Sequence, residues 1–250
     1  RSTLFPYTTL FRSVKFISGS DPRRGSWEHQ AFVPVALAKT EPELAGATHR
    51  AVAAAGRALA ALDATARRLP NPYLLRTPSL RREAQATSAL EGTYVPLAEV
   101  LTADDESPTT TQMREILNYV AMANLGFDWV HEGRPLTLGL LEDLQGRLMR
   151  GTAREGESGR LRTGQVVIGR TPGAGRDRTP VEAARFVPVP PGDQLRAGVE
   201  DLLTWVGTDH AERIDPVVVA GMAHYQFETL HPFRDGNGRL GNLTDRKSVV

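Results

Sequence analysis

The feature that most constrains this chain is an apolar helical run that stops at a histidine followed by a proline. Asp215 and Pro216 form a favourable N-cap and N1 pair, and the run continues to Leu230. Pro232 disfavours helical backbone at His231, so the helix must end there. The sequence therefore predicts that His231 stands at the end of a long helix.

The segment behind the histidine has the residue types of an anion-binding loop. The run DGNG at 235–238 is a dense turn former, and its glycines allow positive φ and close approach of the backbone to a ligand. Successive N–H groups in such a turn form a nest for anions, and a helix starting near Gly238 would add its positive dipole. Arg239 contributes a guanidinium fork that suits phosphate. Phosphate is the ligand that this loop favours.

Two further side chains supply chemistry. Asp235 is a hard oxygen ligand suited to a Mg²⁺ ion that bridges phosphates. His231 carries an imidazole, a group that can act as a general base. Together these groups suit phosphoryl or nucleotidyl transfer. Taken singly, each has a plainer interpretation, because DGNG is usually only a turn and a histidine before proline is usually structural.

Composition excludes several classes of protein. The chain has 250 residues, enough for one large domain or for a core with a helical lobe, and it has 0 Cys, which excludes thiolate metal sites and a cysteine nucleophile. The net charge of +1 gives no basic field for nucleic acid. No apolar run approaches the ~20 residues of a membrane span, and a P-loop string is absent. We expect a cytoplasmic protein without membrane or direct nucleic-acid partners, and the Ala- and Arg-rich composition suggests a bacterial source.

The remaining chain predicts an all-α fold with one β-hairpin. Helical patterns cover 42–68, 79–89, a stretch capped by Thr109, Thr110 or Thr111, 137–148, 193–205 and 216–230. A short β-like run at 164–169 is followed by a loop at 170–185 and a return strand at 186–188. Residues 20–27 are predicted to be a loop.

The two ends resemble translated sequencing-adaptor DNA, although disordered termini are the plainer interpretation. We therefore predict non-native residues at 1–13, a helical region at 14–108, a core domain at 109–242 and a non-native tail at 243–250. On this reading the native sequence is cut short soon after the glycine-rich loop.

The string HPFRDGNGR at 231–239 resembles the signature of Fic proteins, HPFx[D/E]GNGRxxR. Further similarities lie at 223–230, at 117–119, where the family has an early helix, and at 166–169 and 187–191, where it has a flap. The resemblance covers roughly 79–242. It implies a Fic-type helical bundle with one β-hairpin flap.

The resemblance also implies an activity, the transfer of AMP from ATP, with Mg²⁺, to a Ser, Thr or Tyr hydroxyl of a target protein or of the chain itself. By motif position, His231 would deprotonate the hydroxyl, Asp235 would hold Mg²⁺, and Phe233 would pack in the core. Phosphate oxygens would be bound by a set in the turn and the following helix: Gly236, Asn237, Gly238, Arg239 and Asn242.

The hairpin at Val166, Val167 and Ile168 would pair with an extended target segment by β-augmentation. The alternative is a hairpin that only covers the core.

The string TSALEG at 87–92 resembles the family's inhibitory motif, [S/T]xxxE[G/N]. The resemblance implies that Glu91 reaches the nucleotide site, pairs with the second arginine of the signature and blocks the γ-phosphate. Asn242 stands where that arginine is expected, and it cannot form a bidentate ion pair. We therefore expect weaker ATP binding and an inhibitory contact without its salt bridge. Outside this context, a glutamate at a helix end is normally solvated.

Three alternatives stay open at this point. The same fold could remove AMP from a modified target through Glu91, or transfer another phosphate-containing group from UTP, GTP or CDP-choline. A non-catalytic module could hold a nucleotide or a peptide. The sequence also leaves open whether the chain forms a homodimer.

Overall fold

A computed structural model describes residues 13–247, without the side chains of Pro72, Tyr73 and residues 243–247. Residues 1–12 and 248–250, which include most of the predicted foreign start, lie outside the described chain. The described part is mainly helical, which confirms the predicted class. Among its helices, none combines the length and apolarity that crossing a membrane requires.

The elements follow each other in a simple order. Two strands come first, β1 (Ser13–Asp21) and β2 (Gly25–Val33). The next five elements are helices: α1 (Gly46–Ala66), α2 (Arg76–Leu90), α3 (Leu97–Thr102), α4 (Thr111–His131) and α5 (Leu138–Leu148). The chain continues with β3 (Ile168–Arg170), β4 (Ala184–Phe186), α6 (Asp193–Val206), α7 (Pro216–Leu230) and α8 (Asn237–Lys247).

Side-chain caps fix the starts of the central helices, as the sequence predicts. The Thr110 hydroxyl accepts from the N–H of Met113 at 3.0 Å and so begins α4. The Asp215 carboxylate accepts from the N–H of Val217 at 2.8 Å and begins α7. The two helices carry large buried residues, including Tyr119 and Phe227, each 1% exposed. Both residues belong to one buried hydrophobic cluster, which also includes Leu230 beside the histidine.

The helix α8 is held more firmly than its sequence suggests. Its sequence has no apolar stripe, yet Leu240 is 0% exposed and α8 contacts both α7 and α4. Phe233, just before α8, is also 0% exposed. Two buried side chains at the start of the helix therefore anchor the loop.

The prediction of a loop at residues 20–27 is wrong. β1 and β2 pair antiparallel from Ser13 opposite Val33 to Asp21 opposite Gly25, and only the turn between them is irregular. The sequence does not predict this first hairpin because the residues that pack against it lie far along the chain: Ala31 packs with Val181 and Val187. Local sequence carries no signal of that contact.

The predicted flap exists but is short. Ile168 pairs with Phe186, and Arg170 pairs with Ala184. Val166 and Val167 precede the strand, so only Ile168 of the predicted docking residues belongs to it. The β-like signal of the valines reflects partial burial, since Val167 packs against the cluster beneath the first hairpin.

Candidate active site

His231 ends α7 in a backbone conformation that is rare for its residue type. Its φ is 48° and its ψ is 62°, and within residues 13–247 it is the one non-glycine residue with positive φ. Its N–H donates to the carbonyl of Phe227 at 2.9 Å, which closes the last helical turn. Backbone strain of this kind persists where the surroundings over-determine it, and it concentrates at functional sites.

A carboxylate lies behind the imidazole. Glu228 Oε2 is 3.7 Å from His231 Nδ1, one helical turn back along α7. Among described residues, neither His231 Nδ1 nor Glu228 Oε1 has a hydrogen-bond partner, and both atoms are buried. A carboxylate on this side favours a proton on Nδ1, which leaves Nε2 as the acceptor.

The Asn237 side chain closes the loop onto itself. Its Oδ1 accepts from the N–H of Phe233 at 2.9 Å, and its Nδ2 donates to the carbonyl of Phe233 at 2.9 Å. Asn237 is 2% exposed. The carboxamide therefore fixes the loop around a buried phenylalanine, and the phosphate contact of Asn237 stays a prediction.

Gly236 is required by shape. Its φ is +77°, and a Cβ there would lie 2.9 Å from Cδ2 of Leu148. Its N–H donates to Oδ1 of Asp235 at 2.7 Å, and the phosphate contact of Gly236 stays a prediction. The first helical bond of α8 runs from Leu240 to the Gly236 carbonyl at 3.0 Å. The amides of Gly238 and Arg239 lie in the first helical turn, where N–H groups attract anions.

Asp235 presents a carboxylate that is 40% exposed. Arg154 Nε lies 3.3 Å from its Oδ2, and Arg239 Nη2 lies 3.8 Å from its Oδ1. Within the described residues, no group of three or more His, Cys, Asp or Glu side chains is arranged to hold a metal. A single accessible carboxylate fits Mg²⁺ that takes its other ligands from phosphates and water.

Glu91 reaches this site and pairs with Arg239. Its Oε2 lies 2.6 Å from Nε of Arg239, whose side chain is 6% exposed, although the oxygen is off the N–H axis and makes no regular hydrogen bond. Glu115 Oε2 is 4.0 Å from Arg239 Nη1. The expectation that Glu91 has no salt bridge is wrong. Glu91 pairs with Arg239, the first arginine of the signature, and position 242, where the second is expected, is asparagine.

The Glu91 carboxylate also covers the start of α8. Its Oε1 lies 3.1 Å from the position that a Cβ on Gly238 would take. A helix N-terminus attracts anions, so the position that the Glu91 carboxylate takes is also favourable for a phosphate. Asn242 is one turn after Gly238 and therefore lies on the same face of α8.

Burial raises the pKa of Glu91 above its usual value. Arg239 opposes this shift, while the nearby carboxylates of Asp235, Glu228 and Glu115 add to it. Glu91 therefore forms its ion pair with Arg239 at a place where burial and neighbouring carboxylates disfavour its negative charge.

Gln145 supports the loop from beneath and was not predicted. Its Nε2 donates to the carbonyl of Asp235 at 3.1 Å, and its Oε1 accepts from the N–H of Gly159 at 2.6 Å. The one signal in the sequence is a polar residue within the apolar stripe of α5, where it is 1% exposed.

The flap meets the loop at a cavity of about 540 Å³. Its wall includes Val166 and Val167, which lie just before the flap strand β3, and Trp27 from the first hairpin. Arg154 and Arg234, from the loops near Asp235, complete this part of the wall. The structure thus brings two predicted docking residues next to the predicted catalytic loop.

Comparison with known proteins agrees with these observations. Residues 49–128 match the Fic/DOC family N-terminal model, and residues 135–244 match the Fic/DOC family model. Protein adenylyltransferase fic-1 of Caenorhabditis elegans is 35% identical over 97 residues, which are 39% of this chain and 16% of that protein. Protein adenylyltransferase Fic of Drosophila yakuba is 38% identical over 66 residues, which are 26% of this chain and 13% of that protein. The matches thus span less than a fifth of either relative.

Solved structures show the same fold. A Fic family protein from Desulfovibrio desulfuricans G20 superposes with a TM-score of 0.63 at 27% identity, covering 84% of this chain and 59% of that one. Fic-1 of C. elegans superposes with a TM-score of 0.53 at 21% identity, covering 77% of this chain and 55% of that one. With two family models matched in succession and the fold shared, the chain belongs to the Fic/DOC family.

Proposed function

We propose that this chain is a protein adenylyltransferase that moves AMP from ATP to a hydroxyl of a protein, and that Glu91 restrains it. The observation that carries the proposal is the loop from His231 to Arg239, which joins a base, an accessible carboxylate and a helix N-terminus. Its relatives named protein adenylyltransferases support the same reaction.

Each residue of the loop has a chemical role in this proposal. Nε2 of His231 takes the proton of the target hydroxyl, while Glu228 stabilises the resulting imidazolium from the Nδ1 side. The hydroxyl oxygen bonds to the α-phosphorus as the bond from that phosphorus to the pyrophosphate oxygen breaks, and pyrophosphate leaves. Amides at the start of α8 and the Arg239 guanidinium hold the phosphate oxygens. Asp235 would hold Mg²⁺, and the bound ion would supply charge neutralisation at the phosphates.

Glu91 restrains the reaction by occupying the anion position. Its carboxylate lies on Arg239 and beside Gly238, which are the groups that the phosphates need. ATP must displace this carboxylate before its phosphates contact the loop. The restraint is therefore a competition between two anions for one cation and one helix N-terminus.

Labelling with ATP carrying ³²P at the α-phosphate tests the reaction. We expect Mg²⁺-dependent label on the chain or on an added target protein, stronger in Glu91→Gly. His231→Asn is the matched variant, because asparagine tolerates the left-handed backbone at this position. The label should fall by roughly 10²–10⁴-fold in that variant. Equal labelling in His231→Asn contradicts the proposal, and nucleotide binding without label in Glu91→Gly favours a binding module.

Removal of AMP from a modified protein is the second candidate. The raised pKa of Glu91, a carboxyl beside the phosphate position, suits a general base that activates water. Release of AMP from a pre-labelled target by the unmodified chain, with loss of release in Glu91→Gln, would favour this direction.

A further inference from the structure

Arg162 lies between the end of α7 and the base of the flap, with 4% of its surface exposed. Its Nε donates to the carbonyl of His231 at 2.8 Å. Its Nη2 donates to the carbonyls of Leu230, at 3.3 Å, and of Val189, which follows β4. One guanidinium thus joins the residue at the helix end to the flap.

Two more bonds extend this link. Nη1 of Arg162 donates to the carbonyl of Gly164 at 3.3 Å, before β3. Its main-chain N–H donates to the carbonyl of Pro232 at 3.0 Å. Arg162 therefore contacts three consecutive carbonyls, from Leu230 to Pro232, and also both segments that flank the flap.

Electrostatics favour a cation at this place. The last carbonyls of a helix lack intrahelical donors and carry the negative end of its dipole. Burial lowers the pKa of Arg162 to about 10, so the side chain is still charged at neutral pH. A buried charge is costly unless hydrogen bonds surround it, and this guanidinium donates to four main-chain carbonyls.

The direction of the His231 carbonyl is set by the backbone angles of that residue, a φ of 48° and a ψ of 62°. A non-glycine residue holds that conformation only when its surroundings compensate for the backbone strain. The bond from Nε of Arg162 acts on that carbonyl, so it helps to determine how the imidazole is presented. The same guanidinium fixes where the flap begins and ends.

We propose that Arg162 is a positioning residue that holds the backbone of His231 in register with the flap, so that the base and a docked hydroxyl are placed together. The inference rests on the proposed adenylyl transfer for its kinetic consequence. Its structural half stands independently of that activity.

Arg162→Lys tests the proposal, because lysine keeps the charge but lacks the planar fork. Arg81→Lys is the matched control: Arg81 is 8% exposed and donates to the carbonyls of Val100, Leu101 and Ala103, each at 2.9 Å, away from the loop. Both changes are made in Glu91→Gly. We expect kcat for AMP transfer to fall by about 10–100-fold in Arg162→Lys, with KM for ATP within about twofold. Arg81→Lys should keep kcat within about twofold.

The ring Cε1–H signal of His231 in NMR spectra gives a readout that does not need activity, assigned by its loss in His231→Asn. It should shift in Arg162→Lys and stay in place in Arg81→Lys. A shift in a chain that transfers no AMP would sink the proposed function while supporting the positioning role. An unshifted signal overturns the positioning role, whatever happens to kcat. Should Arg162→Lys unfold, Arg162→Met, which removes the buried charge, takes its place; unfolding of both, with Arg81→Lys folded, assigns Arg162 to stability alone and overturns the proposal.

Discussion

The carboxylate of Glu91 and the guanidinium of Arg239 lie 2.6 Å apart, although the family signature would pair this glutamate with position 242. Under the proposed function, Arg239 therefore has two competing anionic partners, the carboxylate of Glu91 and a phosphate of ATP. Under the proposed function, Arg239 cannot pair with Glu91 and bind a phosphate of the nucleotide at the same time. The predictions on Glu91 and Asn242 follow from this competition.

Removing the charge of Glu91 should strengthen ATP binding. Glu91→Gln keeps the size of the side chain but no longer competes as an anion for Arg239. We expect the Kd for Mg²⁺-ATP to fall about tenfold, which is ~1.4 kcal/mol, in isothermal titration calorimetry. Glu99→Gln, an exposed glutamate on α3, is the control and should leave Kd unchanged. An unchanged Kd in Glu91→Gln would show that the carboxylate does not occupy the phosphate position.

Introducing arginine at position 242 should raise the rate of AMP transfer when Glu91 is absent and lower it when Glu91 is present. In Glu91→Gly, Asn242→Arg adds a cation for the outer phosphates and should lower KM for ATP. With Glu91 present, the same change adds a partner for the glutamate and should deepen inhibition. A double-mutant cycle on initial rates measures this coupling, and simple additivity of the two changes would contradict it.

The raised pKa of Glu91 makes stability depend on pH. The folded state binds the proton of this carboxyl more tightly than the unfolded state, whose pKa is near 4.5. The contribution of Glu91 to the free energy of unfolding is therefore fully present below about pH 4.5 and is lost as pH rises through the folded pKa. Urea unfolding between about pH 4 and pH 7 should show the unmodified chain losing stability relative to Glu91→Gln. A slope of the opposite sign would mean that Arg239 outweighs burial.

The left-handed backbone of His231 predicts an unusual order of stabilities. Glycine accepts a φ of 48° without strain, whereas alanine does not, so His231→Gly should be more stable than His231→Ala by about 1 kcal/mol. Chemical denaturation measures the difference. Ala58→Gly in the exposed helix α1 serves as the comparison and should show the reverse order, with glycine destabilising by about 0.5–1 kcal/mol. Equal stability of the two His231 variants would count against the strained backbone.

Asn237 should matter for the loop more than its polarity suggests. Asn237→Ala removes both bonds to Phe233 and leaves two buried main-chain groups without partners, so we expect a loss of about 2–4 kcal/mol of unfolding free energy. Asn237→Asp keeps the acceptor, but it places a carboxylate oxygen against the Phe233 carbonyl in a site that is 2% exposed, so it should also destabilise the chain. Thermal unfolding measures both variants, and a stability of Asn237→Ala equal to that of the unmodified chain would refute the closed loop.

Local signals predicted the ends of helices and the place of the site. Pro232 stops α7 at His231, and Asp215 starts it, because each acts on neighbouring backbone. The glycine-rich run likewise marks the start of α8. What the sequence could not give is the use of each polar atom, such as the carboxamide of Asn237, which bonds to the main chain of Phe233.

Contacts between distant residues account for the other errors. Arg162 bonds to a carbonyl 69 residues away, and Gln145 bonds to one 90 residues away. Neither partner is marked by periodicity or by a turn signal. The pairing of Glu91 with Arg239 likewise joins residues that are far apart in the sequence, and a motif does not encode that contact.

The first hairpin changes what the flap offers to a partner. The N–H of Phe32 donates to the carbonyl of Val187 at 2.8 Å, and the rings of Phe32 and Phe186 lie 5.7 Å apart, so the β4 side is already in contact with β2. Gly169 and Arg170 on β3 are exposed. A two-stranded ribbon ordinarily has two free edges, but contact with β2 leaves β3 as the exposed edge of this one. If a target segment pairs with the flap as the sequence predicts, it must therefore approach from the β3 side.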